Sequence, residues 1–149
     1  MEPSAHFQLQ VEWSKGPFGP ERWSGGLNEL EGLLSARTFV DADEWIDARG
    51  AGWLRGTGPA NGRLFRGPDP SIQAKEMAKE LGVDPQAVVW SGGIARMENE
   101  CAAHKALDLI GDIGVWIGYL PSLSIRARDT GHDLHHLLGP ALRDASFHT

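Results

Sequence analysis

The chain has 149 residues, of which 41% are hydrophobic and 23% charged, as in an ordinary globular domain. Its formal net charge of −6 argues against a protein whose main partner is nucleic acid phosphate, and its single cysteine excludes an intrachain disulfide and a cysteine-rich zinc module. The sequence shows no long apolar run and no secretory signal pattern, so we expect a cytoplasmic protein without a transmembrane segment.

Alternation of polar and apolar residues predicts a strand near the start of the chain. Phe7, Leu9, Val11 and Trp13 alternate with glutamine and glutamate, which is typical of a strand buried on one face. The residues that follow predict a turn at 16–20, a short strand at 22–23, an amphipathic helix at 27–34, a strand at 36–40 and a short helix at 41–49.

The middle of the chain is less regular. Glycines and arginines at 53–67 indicate a loop or hairpin with a candidate strand at 63–66. A helix is predicted at 71–81, ended by Gly82, and a strand at 87–90.

The last third predicts a long helix at 98–116, a strand at 123–127 and a helix from 132 to 145 that is kinked or restarted at Pro140. The order of elements indicates an α+β fold, with helices on one face of a mixed sheet. We expect one domain over 1–149.

The long helix carries the main functional signal. His104, Asp108 and Asp112 are spaced i, i+4, i+8, so they share one side of a helix, and Lys105 flanks them. An imidazole and a carboxylate one turn apart suit Zn²⁺, Asp112 could orient a histidine, and Lys105 could hold an anionic group. The alternative is a solvated helix face with intrahelical contacts of about 0.2–0.5 kcal/mol each.

The opposite side of this helix is apolar and is expected to be buried: Ala103, Ala106, Leu107, Ile110 and Gly114. Cys101 is read as a small buried residue. His132 lies at a predicted strand-to-helix junction, where free backbone N–H groups favour developing negative charge. His6, His135 and His136 are expected to be exposed.

Four segments in order carry a family resemblance: Ala-Arg-Thr-Phe at 36–39, Arg-Met-Glu-Asn-Glu at 96–100, His-Lys-Ala-Leu-Asp-Leu-Ile-Gly-Asp at 104–112 and Thr-Gly-His-Asp-Leu at 130–134. With them the chain resembles the second half of the UDP-3-O-acyl-N-acetylglucosamine deacetylase (LpxC) family, the zinc hydrolases of lipid A synthesis. The resemblance runs from about Phe7 to Ala145. It implies an LpxC-domain-like two-layer sandwich.

The resemblance also implies roles for the residues of the motifs. His104 and Asp108 would be zinc ligands, while Lys105 and Asp112 would position the substrate and the catalytic histidine. His132 would be that histidine, a cation that stabilises the oxyanion and can protonate the leaving amine. The implied reaction is amide hydrolysis of an N-acetylated acyl amino sugar, which can be UDP-linked.

The chain departs from the family pattern in three ways. The family's first domain brings the third zinc ligand and a glutamate base in a Glu-His pair, and no Glu-His dipeptide occurs here. His135 and His136 stand where the family has paired asparagines. The region 67–95, where the family builds its acyl passage, is a variable insert with a different predicted helix.

Three hypotheses follow. The chain could be half of a deacetylase, completed by a separate chain like the family's first domain. It could be a non-catalytic binding or regulatory module. It could also be a homodimeric hydrolase in which His6, His135, His136 or His148 supplies the missing ligand. The retained set of five polar residues favours the first hypothesis, since a binding module has no need of all of them.

Overall fold

A computed structural model describes residues 6–16, 19–41, 62–65, 95–120 and 122–146, together with 44, 47–48, 51–53, 75, 78–79 and 82. The chain divides into two compact units, one formed by Met1–Ala36 and Met97–Thr149 and the other by Arg37–Arg96. The helices predicted at 41–49 and 71–81 fall mostly outside the described residues, as does the insert at 67–95. The strand predicted at 87–90 falls wholly outside them.

The elements, in chain order, are β1 (Gln8–Trp13), β2 (Glu21–Gly26), a 3-10 turn (Leu27–Glu29), α1 (Leu30–Leu33), β3 (Thr38–Asp41), β4 (Gly62–Phe65), α2 (Glu100–Ile117), β5 (Ser124–Arg128) and α3 (His132–Ser146). They form an α+β fold with a mixed sheet, as predicted. None of the helices in the described part of the chain is long and apolar enough to cross a membrane.

The sheet of the first unit has the order β2-β1-β5, with β1 antiparallel to β2 and parallel to β5. In β1, Leu9 and Val11 are buried while Gln8 is exposed, so the predicted alternation is confirmed. β2 is longer than the predicted strand at 22–23 because Glu21 to Gly26 all pair with β1. This pairing places β1 at the centre of the sheet.

Helix α2 packs against β1, β2 and α3. Its buried residues are Glu100, Cys101, Ala102, Ala103, Ala106, Leu109 and Ile113. The predicted apolar side is confirmed for Ala103 and Ala106, and Leu107 and Ile110 are half-buried and pack against the same core. The most buried large side chains of the helix, however, are Leu109 and Ile113. The reason is that α2 is covered by the sheet and by α3 together, and this moves the buried side toward Leu109 and Ile113.

The start of α2 is held by a side chain from the sheet. Glu21 of β2 accepts hydrogen bonds through Oε2 from the backbone N–H groups of Cys101 (2.8 Å) and Ala102 (3.1 Å). A carboxylate at a helix N-terminus satisfies free donors and interacts favourably with the helix dipole. This contact fixes the position of α2 along the sheet.

Helix α3 crosses α2 where Gly139 meets Trp116, and it continues through Pro140 as one helix. A Cβ at Gly139 would lie at most 3.0 Å from three side-chain atoms of Trp116. We expect Gly139→Ala to lower the free energy of unfolding by about 1–3 kcal/mol, the usual cost of overpacking. Urea unfolding measures this change.

The matched control is Gly111→Ala on α2, where an added Cβ meets nothing within 4 Å. Here alanine should raise the stability by up to about 1 kcal/mol because it favours the helix over glycine. If the two variants lost equal stability, close packing at Gly139 would not be the cause.

The ends of β1 and β5 are tied together by Asp129, which has a left-handed backbone with φ of 48°. Its carboxylate accepts hydrogen bonds from the backbone N–H of Ser14 (2.7 Å) and from the Ser14 hydroxyl (2.7 Å). These two bonds hold the pKa of Asp129 below its ordinary value. The ionised carboxylate is therefore the form that stabilises this corner.

We expect Asp129→Asn to be less stable than the wild type at pH 7. Asparagine tolerates the left-handed backbone but offers a single acceptor oxygen. A lowered folded-state pKa gives stability that is complete above the unfolded pKa of about 4 and is lost as the pH falls through the folded value. The difference in unfolding free energy between the wild type and Asp129→Asn should therefore shrink below about pH 4. Urea unfolding between pH 7 and pH 3 tests this expectation. A constant difference would show that the carboxylate charge does not matter.

In the second unit, β3 and β4 pair in parallel, with Thr38 opposite Gly62 and Asp41 opposite Phe65. Both correspond to predicted strands, at 36–40 and 63–66. Arg63 and Ala78 are buried in this unit.

Candidate metal and oxyanion site

Helix α2 brings together the polar residues whose i, i+4 spacing predicts a common side of the helix. His104 Nε2 lies 3.2 Å from Asp108 Oδ1, and Lys105 Nζ donates to Asp108 Oδ2 at 2.9 Å. The side chains of His104 and Asp108 are only 16% and 14% exposed. A solvated helix face, the alternative considered from the sequence, does not describe these two side chains.

His104 is oriented by the backbone of another element. Its Nδ1 lies 3.3 Å from the carbonyl oxygen of Ala36, between α1 and β3. A carbonyl only accepts hydrogen bonds, so Nδ1 carries a proton and donates it to Ala36. The other ring nitrogen, Nε2, faces Asp108 Oδ1 at 3.2 Å. At this position it can donate a proton to the carboxylate or, when unprotonated, share a metal ion with it.

The carboxylate of Asp108 is strongly ionised. Burial alone raises its pKa, but the hydrogen bonds and positive charges of His104 and Lys105 outweigh burial and lower the pKa to about 2. Lys105 also lies 5.3 Å from the ring centroid of Trp13, a cation–π contact that restrains its side chain. Asp108 is therefore an anion at neutral pH, the form in which a carboxylate binds a metal.

His132 is the first residue of α3, at the strand-to-helix junction expected from the sequence. Its Nδ1 donates to Asp112 Oδ2 at 2.6 Å, and its Nε2 lies 4.0 Å from Asp108 Oδ2. The His132 side chain is 60% exposed. Asp112 thus holds one ring nitrogen of this exposed side chain, while the other nitrogen lies toward Asp108.

His135 is buried, and its predicted exposure is wrong. It was expected to be exposed, but only 1% of it is accessible. Its Nδ1 donates to the same Asp112 Oδ2 at 2.7 Å, and its Nε2 lies 2.8 Å from the Thr130 hydroxyl. The sequence held a signal for this: His135 follows His132 by three residues, so both can reach one side of α3.

The predicted exposure of two other histidines is confirmed. His136 and His6 are exposed, and His148 lies outside the described residues.

Asp112 is ionised by its histidine partners. Burial raises its pKa, and the hydrogen bonds from His135 and His132 outweigh burial, so the pKa lies below its usual range. One carboxylate oxygen therefore accepts two imidazole N–H groups, which fixes the donor nitrogen of each ring.

Within the described part of the chain, two groups of side chains have donor atoms suitable for a metal ion, one around Asp112 and the other formed by His104 and Asp108. Asp112, His132 and His135 each offer one atom, and these atoms lie within 4.8 Å of one another. Their nitrogen–oxygen distances of 2.6 and 2.7 Å, however, are hydrogen-bond lengths. In a tetrahedral zinc site with bonds of about 2.0–2.1 Å, neighbouring ligand atoms are about 3.3 Å apart. The 3.2 Å between His104 and Asp108 fits that spacing better.

Comparison with known proteins identifies the family of this chain. A search of curated proteins finds no match. A sequence model of the LpxC family, described as UDP-3-O-acyl N-acetylglycosamine deacetylase, matches residues 2–144, nearly the whole chain. This confirms the resemblance drawn from the four motifs. The chain therefore belongs to the LpxC family of UDP-3-O-acyl N-acetylglycosamine deacetylases and is a deacetylase-related domain.

Proposed function

We propose that this chain is half of a zinc-dependent deacetylase and becomes active when a partner domain completes its site. It would hydrolyse the amide of an N-acetylated acyl amino sugar to acetate and a free amine. The observation that carries the proposal is the fixed ring of His104, which donates from Nδ1 to Ala36 while Nε2 faces Asp108 Oδ1 at 3.2 Å. Histidines that bind metals are commonly oriented by such a bond to a backbone carbonyl.

His104 and Asp108 would hold the zinc ion. One nitrogen and one oxygen donor suit Zn²⁺, and Asp108 is already in the ionised form that metal binding needs. Bound zinc would polarise the amide carbonyl of the substrate and lower the pKa of a water molecule. Lys105, already hydrogen-bonded to Asp108, adds positive charge beside the same position.

His132 would stabilise the negative charge that develops on the carbonyl oxygen. Its Nδ1 is held by Asp112, so Nε2 is the atom that can donate to a substrate. A donor at this place acts on charge that is larger in the transition state than in the ground state. The same nitrogen can deliver a proton to the leaving amine, because protonation makes the amine a better leaving group.

The site lacks a general base among the described residues. Asp108 and Asp112 both have lowered pKa values and both accept hydrogen bonds, so neither is a strong base at neutral pH. The family's Glu-His pair is also absent from the sequence. We therefore propose that a third zinc ligand and a base come from a partner domain.

Exposed apolar residues support a partner. Val115 follows Asp108 and Asp112 along the same side of α2 and is 83% exposed, while Leu134 and Leu137 on α3 are 56% and 72% exposed. Contiguous exposed apolar patches mark interaction sites, and these three residues are the positions at which we expect the partner to bind. The occupant we propose is a separate domain like the family's first domain, or a second copy of the chain.

The homodimer hypothesis has fewer candidate histidines for the third zinc ligand than the sequence suggested. Both ring nitrogens of His135 already have partners, Asp112 and Thr130, so this residue is not available to a second copy. His136 and His6 remain as exposed histidines.

The test is to measure zinc content, molecular mass in solution and acetate release for the chain alone and together with a candidate first domain that carries a Glu-His motif. The substrate would be a UDP-linked, 3-O-acylated N-acetyl amino sugar, with the unacylated sugar nucleotide as a comparison. We expect one zinc and activity in the mixed complex. Zinc and activity in a homodimer would favour self-association, and no zinc in any assembly would refute the metal site and favour a binding module.

A further inference from the structure

A line of hydrogen bonds runs from the interior of the domain to the exposed ring of His132. Thr130 contacts His135, His135 donates to Asp112, and Asp112 accepts from His132. We infer that His135 is a positioning residue, which fixes the Asp112 carboxylate and through it the orientation of His132. This inference rests on the proposed function for its effect on rate, but the contacts themselves can be tested without activity.

His135 is built into the interior with both of its nitrogens satisfied. The residue is 1% exposed and its hydroxyl partner, Thr130, is 5% exposed. Nδ1 lies 2.7 Å from Asp112 Oδ2 and Nε2 lies 2.8 Å from Thr130 Oγ1. A buried ring with two hydrogen bonds in place has one orientation, because any rotation would leave polar atoms unpaired.

This fixed ring donates to the carboxylate of Asp112, whose side chain is 19% exposed. His135 and His132 donate to the same oxygen of Asp112, at 2.7 and 2.6 Å. The donor from the interior therefore determines where the oxygen lies when His132 binds it. The two rings also meet edge to face, with centroids 5.9 Å apart and planes at 74°.

His132 needs such support because it is 60% exposed. An exposed side chain samples several rotamers, while a catalytic group must be held to within about 0.5 Å of its working position. Asp112 alone would not set the direction of the His132 ring unless its own oxygen were fixed. A buried histidine that only filled space would have no effect on His132.

The test compares three substitutions in the isolated chain by nitrogen-15 NMR of the His132 imidazole. His135→Leu removes both hydrogen bonds, while His135→Asn keeps a donor near the position of Nδ1 and loses the contact with Thr130. His136→Leu changes the neighbouring exposed histidine and serves as control. We expect the Nδ1-bound proton of His132 to be visible in the wild type, the Asn variant and the control, and to be lost by exchange in the Leu variant.

In an active assembly, His135→Leu should lower kcat by about 10-fold to 100-fold with little change in KM. The reason is that a displacement of a catalytic group by about 1 Å can slow a reaction by about 100-fold. His135→Asn should recover most of the rate. Zinc content should be unchanged in both variants.

Several results would overturn the inference. An unchanged His132 signal in His135→Leu would make His135 a structural residue only, and loss of zinc would make it a metal ligand. If His135→Leu does not fold, Thr130→Val removes only the hydroxyl and should shift the His135 signals while weakening the His132 proton signal. If His135→Leu changes the His132 signal but no assembly has deacetylase activity, the proposed function is refuted while the positioning role of His135 stands.

Discussion

Replacing His104 with alanine should lower the affinity of the completed site for Zn²⁺ by more than about 100-fold, because loss of an outer-shell contact alone costs 10-fold to 100-fold. The variant loses the proposed zinc ligand, whose Nε2 faces Asp108 Oδ1 at 3.2 Å and whose Nδ1 donates to the carbonyl of Ala36. The fold should persist because His104 lies on the partly exposed polar side of α2 and is not among the buried residues of that helix. Zinc competition with a chelator measures the change.

Asp108→Asn tests the same site through the second ligand. The amide keeps the shape of the carboxylate but loses the charge, so it should also weaken zinc binding while circular dichroism stays unchanged. His136→Ala is the control for the loss of an exposed imidazole and should bind zinc like the wild type. If His104→Ala kept full affinity, the ligand assignment would be wrong, and loss of zinc in His132→Ala and His135→Leu instead would point to the group around Asp112.

Replacing His132 with alanine should leave zinc in place and slow deacetylation by about 10²-fold to 10³-fold, the usual cost of one lost oxyanion donor. The structure gives the reason: Asp112 occupies Nδ1 at 2.6 Å, and Nε2 lies toward Asp108. The effect should fall mainly on kcat, because this interaction strengthens in the transition state. Steady-state kinetics of the active complex provide the measurement.

His132→Gln is an informative companion variant because its amide can donate a hydrogen bond but cannot deliver a proton. A partial recovery of rate relative to alanine would assign the main effect to hydrogen bonding, and none would assign it to proton transfer. Wild-type rates for His132→Ala, in a complex that loses activity with His104→Ala, would remove His132 from the mechanism.

Much of this protein could be predicted from local patterns. The alternation from Phe7 to Trp13 is a strand because period two is a property of the extended backbone itself. The common side shared by His104, Asp108 and Asp112 follows from the helical repeat alone. The four motifs were sufficient to identify the family that residues 2–144 match.

What the sequence by itself determined, then, is the type of each main element and which side chains share a helix side, since these depend on near neighbours in the chain. Only the tertiary structure decided which nitrogen of His104 is protonated, because its acceptor is the carbonyl of Ala36, 68 residues away. The burial of His135 against Asp112, 23 residues apart, is likewise decided by the packing of α3 on α2. Hydrogen bonds between distant segments depend on that packing, and no local spacing encodes it.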